Sequence, residues 1–270
     1  MMLISYATIA GFLGALLGLG GGVIIVPVLT LIYKVPIPQA IAISLISIVA
    51  NSTASASSFV KENLTNVRVG LFLELATITG ALIGFLLTRA INPEFLFLLF
   101  GFFLLVSANL MFLKRKKENL ALGHPLSDRL GFNSYFKENK PNPNNSSYKV
   151  DRPFHALSWM FLSGLLSSLL GVGGGILKVL AMDHYMKLPL KVSTATSNFM
   201  IGVTATAASA AALARGEIDL QIAAPVAIGV MLGSYIGAKS LVKISDQKIR
   251  YLFIVVILFT AFQMIRRGLV

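Results

Sequence analysis

Eight apolar segments, at residues 3–33, 39–60, 67–89, 95–113, 155–187, 191–214, 219–241 and 248–265, take up most of this 270-residue chain. About 20 apolar residues of helix cross the hydrocarbon core of a bilayer. In lipid every backbone polar group must be satisfied internally, and runs of this length do that as helices. Only 13% of the residues are charged, against about 25% in a soluble domain. The expected fold class is therefore an all-α polytopic membrane protein, multi-pass, in a cell membrane.

The formal net charge of +12 would suggest nucleic acid in a soluble protein. Here Lys and Arg gather in the loops between apolar spans, the pattern of cytoplasmic loops. No basic stripe with interleaved aromatics accompanies them, so nucleic acid is not an expected partner. The chain has no cysteine, which removes disulfides, Cys-ligated metals and thiol chemistry together. Its first 17 residues, MMLISYATIAGFLGALL, lack a basic n-region and a small-residue cleavage site, and read as retained structure.

Composition changes sharply at 114–153, where KRKKE, NKPNPNNSS and scattered charge read as a soluble, basic, cytoplasmic and flexible linker. It divides a first membrane repeat, 1–113, from a second, 154–270. One gapless offset of 153 residues relates the two. It lays Gly11 on Gly164, Gly18 on Gly171, and Gly20, Gly21 and Gly22 on Gly173, Gly174 and Gly175. It also lays Lys34 on Lys187, Pro36 on Pro189, Ser44 on Ser197, and Gly80 and Gly84 on Gly233 and Gly237. Such internal duplication is a common plan among secondary transporters.

Within each repeat the first apolar segment exceeds one span, yet the pieces on either side of "GLGGG" or "GVGGG" are each too short to span. Each repeat is expected to hold a glycine-broken, re-entrant helix hairpin and three transmembrane helices, which makes the repeats inverted. Four full spans per repeat would make them parallel. Loop charges favour the inverted arrangement. With the linker in the cytoplasm and Lys178 set aside, it puts 17 basic residues inside and five outside: Lys34, Arg89, Arg215, Arg266 and Arg267. The parallel arrangement puts 14 inside and eight outside.

Broken backbone is tolerated at membrane depth only inside protein or against a polar cavity. Glycine lets a ligand approach such backbone closely, and the half-helix that follows offers free N–H groups and a positive dipole end to an anion. Candidate substrate-binding residues are thus Gly20, Gly21, Gly22, Gly173, Gly174 and Gly175. The next helix of each repeat adds neutral donors. Ser44, Ser47, Asn51 and Ser55 share one helical face, and Ser197, Asn198 and Thr204 stand in the second repeat beside Thr194. The alternative for these side chains is interhelical packing by small polar residues, and for the pairs Gly80/Gly84 and Gly233/Gly237 packing is the preferred reading.

Two ionisable residues lie inside apolar segments. Lys178 follows the second glycine run, and a lysine at a span centre costs about 3 kcal/mol on insertion scales. It is a candidate counter-charge to an anion. Glu74 lies in the third segment, and either residue is a candidate for coupling to a proton. The three histidines show no metal-ligand spacing, and no catalytic or nucleotide motif is present. No enzyme activity, cofactor or metal is expected.

Duplicated GxGGG hairpins, each followed by a loop proline and an Ala-x-Ser helix, resemble the sulfite exporter family TauE/SafE. The carrying residues are GLGGGVIIVPVL with Ala42 and Ser44, and GVGGGILKVL with Ala195 and Ser197. The resemblance covers both membrane repeats. It implies a secondary transporter of small sulfur oxyanions, such as sulfite or a sulfonate, working by alternating access around a midplane site. An anion channel and a non-transporting scaffold or receptor remain as alternatives, and a second copy of the chain is a candidate partner. Two departures, Leu180 where the first repeat has Pro27 and Lys178 where it has Ile25, predict half-sites that are not equivalent.

Overall fold

The computed structural model describes residues 2–87, 90–112, 123–135, 147–171, 173–241 and 243–269. Arg89 and linker residues 114–122 and 136–146 lie outside the described residues. The first repeat holds α1 (Met2–Leu17), α2 (Gly22–Pro27), α3 (Ile37–Lys61), α4 (Val67–Leu87) and α5 (Pro93–Phe112). Between the repeats come a short helix, α6 (Pro125–Arg129), and two strands, β1 (Ser134–Tyr135) and β2 (Ser147–Tyr148). The second repeat holds α7 (Pro153–Leu170), α8 (Gly175–His184), α9 (Leu190–Ala214), α10 (Leu220–Leu241) and α11 (Asp246–Leu269).

Five of these helices, α3, α4, α7, α9 and α10, are long and apolar enough to cross a membrane. Their outward faces carry large apolar side chains, among them Leu75, Leu86, Ile228 and Leu232, all exposed. A surface of that kind is solvated by lipid tails rather than water.

The offset of 153 reappears in the backbone. Lys34 and Lys187 both take a positive φ, 55° and 60°. Pro36 and Pro189 cap α3 and α9 with nearly the same angles. Val35 N–H donates to Leu29 O at 3.0 Å, and Leu188 N–H to Met182 O at 3.1 Å. The repeats differ where their sequences do. Pro27 lacks the N–H that α2 would need to continue, and the chain passes into a π-helical turn, Val28–Ile32. Leu180 at the equivalent position leaves α8 an unbroken helix.

Helices pack across the repeats. On α10, Gly229, Gly233 and Gly237 meet Ile4, Thr8 and Phe12 of α1; on α4, Gly80 and Gly84 meet Phe161 and Leu165 of α7. A Cβ on Gly233 or Gly80 would overlap the facing backbone carbonyl, of Thr8 or Phe161. Lipid tails are as apolar as leucine, so close backbone contact is what holds such helices together. The order of these contacts shows α1 running parallel to α10, and α7 parallel to α4. Helices α3 and α9 cross at the centre, with Gly202 against Ser52, and α5 packs on α11.

Part of the linker docks on the α3–α4 turn. Phe132 is buried against Phe72 of α4, ring centroids 5.3 Å apart. The Asn66 side chain donates to Phe132 O at 2.7 Å and to the Tyr148 hydroxyl at 3.0 Å, and its Oδ1 accepts from Val69 N–H at the start of α4. Asn66 N–H donates to Thr196 Oγ1 on α9 at 2.9 Å. One asparagine thereby ties the linker to the start of α4 and to α9.

Candidate functional site

Gly18, Gly20 and Gly21 all have positive φ, as do Gly171, Gly173 and Gly174. L-residues rarely take that conformation, so glycine lets both helices end and restart within a few residues. Neither α2 nor α8 has a side-chain cap on its N-terminus. The first-turn N–H groups of a helix have no intrahelical acceptor.

The two breaks meet. A Cβ on Gly22 would overlap Gly171 O, and one on Gly175 would overlap Gly18 O. Each restarting helix thus abuts the carbonyl that ends the other repeat's first helix. A reciprocal pair of hydroxyls seals the crossing: Ser44 Oγ donates to Gly171 O at 2.6 Å, and Ser197 Oγ to Gly18 O at 3.0 Å. Donor and acceptor in one bond are the duplicates of donor and acceptor in the other.

Deeper along α3 and α9 a second polar group forms. Asn51 Nδ2 donates to Asn198 Oδ1 at 3.0 Å, and Asn198 Nδ2 donates to Ala15 O and Thr194 O. Asn51 Oδ1 accepts from Ser234 Oγ of α10 at 2.5 Å. Ser234 sits inside the Gly233/Gly237 stripe, where a lone hydroxyl on a packing face is the only signal the sequence offers for it. Ser47 and Ser55 are buried on the α3 face but donate to carbonyls of their own helix.

The third group joins the two intramembrane charges. Lys178 Nζ donates to Thr204 Oγ1 at 2.8 Å and lies 3.5 Å from Glu74 Oε2. Glu74 Oε1 is close against the Thr204 hydroxyl. All three side chains are buried, Lys178 completely. Thr204 is the duplicate of Asn51, so of two equivalent positions one meets an ion pair that spans the halves and the other an amide network. Removing either charge strands the other in a medium that solvates it poorly. Glu74 Oε2, though ion-paired, accepts no hydrogen bond, and Lys178 has ammonium protons to spare. With a carboxylate opposite an ammonium, the group carries no net formal charge.

The structure thus brings the nominated residues together in three linked groups along α3 and α9. The glycine breaks, Ser44 and Ser197 form one, Asn51 and Asn198 the next, and Lys178, Thr204 and Glu74 the last. His124 and His155 lie near the start of α7 and His184 at the end of α8. Among the described residues no group of three or more His, Cys, Asp or Glu is placed to hold a metal ion.

A model of the family described as Sulfite exporter TauE/SafE matches residues 3–264. Probable membrane transporter protein YunE of Bacillus subtilis (strain 168) is 28% identical over 276 residues, covering 100% of this chain and 98% of that protein. Probable membrane transporter protein MJ0441 of Methanocaldococcus jannaschii is 28% identical over 266 residues, 92% of this chain and 89% of its own length. Probable membrane transporter protein YdhB of Bacillus subtilis (strain 168) is 23% identical over 239 residues, 88% and 89% of the two chains. These names are consistent with a chain that is not an enzyme. No solved structure matches.

Proposed function

This chain belongs to the sulfite exporter TauE/SafE family, and from that membership we propose that it is a secondary transporter of small anions: sulfite, a sulfonate or a related sulfur oxyanion. The observation that carries this reading is the reciprocal pair, Ser44 to Gly171 O and Ser197 to Gly18 O, across two broken helices. In the conformation described, carbonyls occupy the donors that an oxyanion would use. Parting the breaks frees two serine hydroxyls, two helix N-termini and the N–H groups of residues 20–22 and 173–175 for one anion. Neutral donors of this kind bind an oxyanion without the cost of burying a cation for each charge.

We read the repeats as inverted and each glycine break as the tip of a re-entrant hairpin. Supporting this, Asp151 N–H, ahead of α7, donates to Met186 O, just after α8, at 3.2 Å. Trp159 near the start of α7 stacks on Tyr185 after α8, centroids 5.9 Å apart. In the first repeat Ala7 and Ala10 of α1 pack with Ile25, Leu29 and Val35. Alternating access then loosens one hairpin tip and afterwards the other. The neutral group of Lys178, Thr204 and Glu74 supplies the coupling site, with a proton bound at Glu74 the coupling ion. Asn51, Asn198 and Thr204 line the path next to the break.

A thermal-shift screen of the purified protein against sulfite, thiosulfate, sulfonates and carboxylates tests the substrate class. Sulfur oxyanions should raise the melting temperature of the wild type and not of a Ser44→Ala/Ser197→Ala variant. Stabilisation by carboxylates alone would remove the sulfur assignment, and indifference to every anion would remove the site.

A further inference from the structure

A groove of about 580 Å³ runs between α1, α2 and α11, lined by none of the residues of the three polar groups. Leu13, Pro27 and Leu31 line its length; Gln263, Arg266 and Arg267 stand together on its α11 side near the end of that helix. Its walls belong to the outer, apolar surface of the protein, where Ile9 and Phe259 are exposed by 57% and 67%. The volume falls within the range of small-molecule sites, about 300–1,000 Å³.

The polar groups are collected on one side, so the groove fits a molecule with one anionic end and an apolar remainder. Neither guanidinium takes part in an ion pair among the described residues. On the topology proposed above, both arginines also stand on the face with five basic residues, opposite the one with 17. The positive-inside bias therefore does not account for them. The π-helical turn after Pro27 shapes one wall, and the second repeat, with Leu180, lacks that feature.

We propose that this groove is a binding site for an anionic phospholipid, an acyl chain lying against Pro27 and Leu31 and the phosphate held by Arg266 and Arg267. The lipid rests on the hairpin whose tip carries Gly20–Gly22, so its occupancy bears on how readily that hairpin moves. The site itself depends on the groove and the two arginines; the argument from the charged face and the bearing on the hairpin's movement rest on the topology proposed above.

Native mass spectrometry of the detergent-solubilised full chain, with dioleoyl phosphatidylglycerol and dioleoyl phosphatidylcholine as probes, tests the proposal. A surface arginine favours an anionic lipid by about fivefold, so the pair should favour phosphatidylglycerol by roughly 30-fold. Arg266→Gln/Arg267→Gln should bring the two lipids to parity. Val28→Trp, which fills the groove and keeps both arginines, should lose the bound phosphatidylglycerol. A measurement on wild type alone guards against misfolded variants: spin-labelled phosphatidylglycerol should show a larger immobilised fraction than spin-labelled phosphatidylcholine. Equal retention of the two lipids, a preference that survives loss of both arginines, binding indifferent to Val28→Trp, or displacement by millimolar inorganic phosphate would each overturn it.

Discussion

Lys178 and Glu74 are separated by most of a repeat in sequence, yet each is the other's only charge partner in the described interior. Substituting one leaves an uncompensated charge at membrane depth, which costs about 3–5 kcal/mol. Glu74→Gln should therefore lower the melting temperature markedly, whereas Glu74→Gln/Lys178→Met should recover most of it without recovering coupled transport. A double variant as unstable as the single one would contradict the pairing. The serines make a milder and more symmetric prediction. Ser44→Ala and Ser197→Ala each remove one hydrogen bond worth about 1 kcal/mol, so their denaturation midpoints should fall by similar amounts. Both ionisable residues were legible as oddities in apolar runs. That they neutralise each other was not, because a duplication reveals which positions are equivalent and not which helix of the other repeat each one faces.

At the scale of elements, the same offset that aligns glycines in sequence aligns contacts in space. Gly80 on Phe161 is the duplicate of Gly233 on Thr8. A side chain at either position must push two backbones apart, and overpacking of this kind costs about 1–3 kcal/mol or more. Gly80→Val and Gly233→Val should thus reduce the yield of folded protein in size-exclusion chromatography to a similar degree. One position tolerating valine while the other does not would argue against equivalent packing. The glycine pairs read from the sequence as packing surfaces do pack, because a small-residue stripe in lipid has that one strong use. The π-helical turn was less legible. Pro27 announces a break in hydrogen bonding, but whether the chain kinks or widens depends on the loop that follows.

For the whole molecule the claim is that α1 and α7 enter from opposite faces. The absence of native cysteine makes a direct test available: Lys34→Cys and Lys187→Cys place one thiol at each of two duplicate loop positions. In intact cells an impermeant maleimide should label the first and spare the second until the membrane is opened. Labelling of both from outside would make the repeats parallel. Deleting residues 136–146, which leaves the docked Phe132 and Tyr148 in place, should preserve transport; its loss would favour a protein whose linker is the working part. The loop charges are the sequence's argument for this topology, since membrane insertion sorts lysine and arginine between faces. They carried nothing of Asn66, whose role depends on a linker segment folding back on the α3–α4 turn.

The most direct test of the account is counterflow of labelled sulfite in proteoliposomes holding the purified protein. A carrier that alternates between two hairpin tips moves faster when its return journey is loaded, so unlabelled sulfite inside should accelerate entry of label from outside, and Ser44→Ala/Ser197→Ala should abolish the acceleration. Entry that is indifferent to anion on the far side would mean a channel, and the alternating crossing of the two glycine breaks would be wrong.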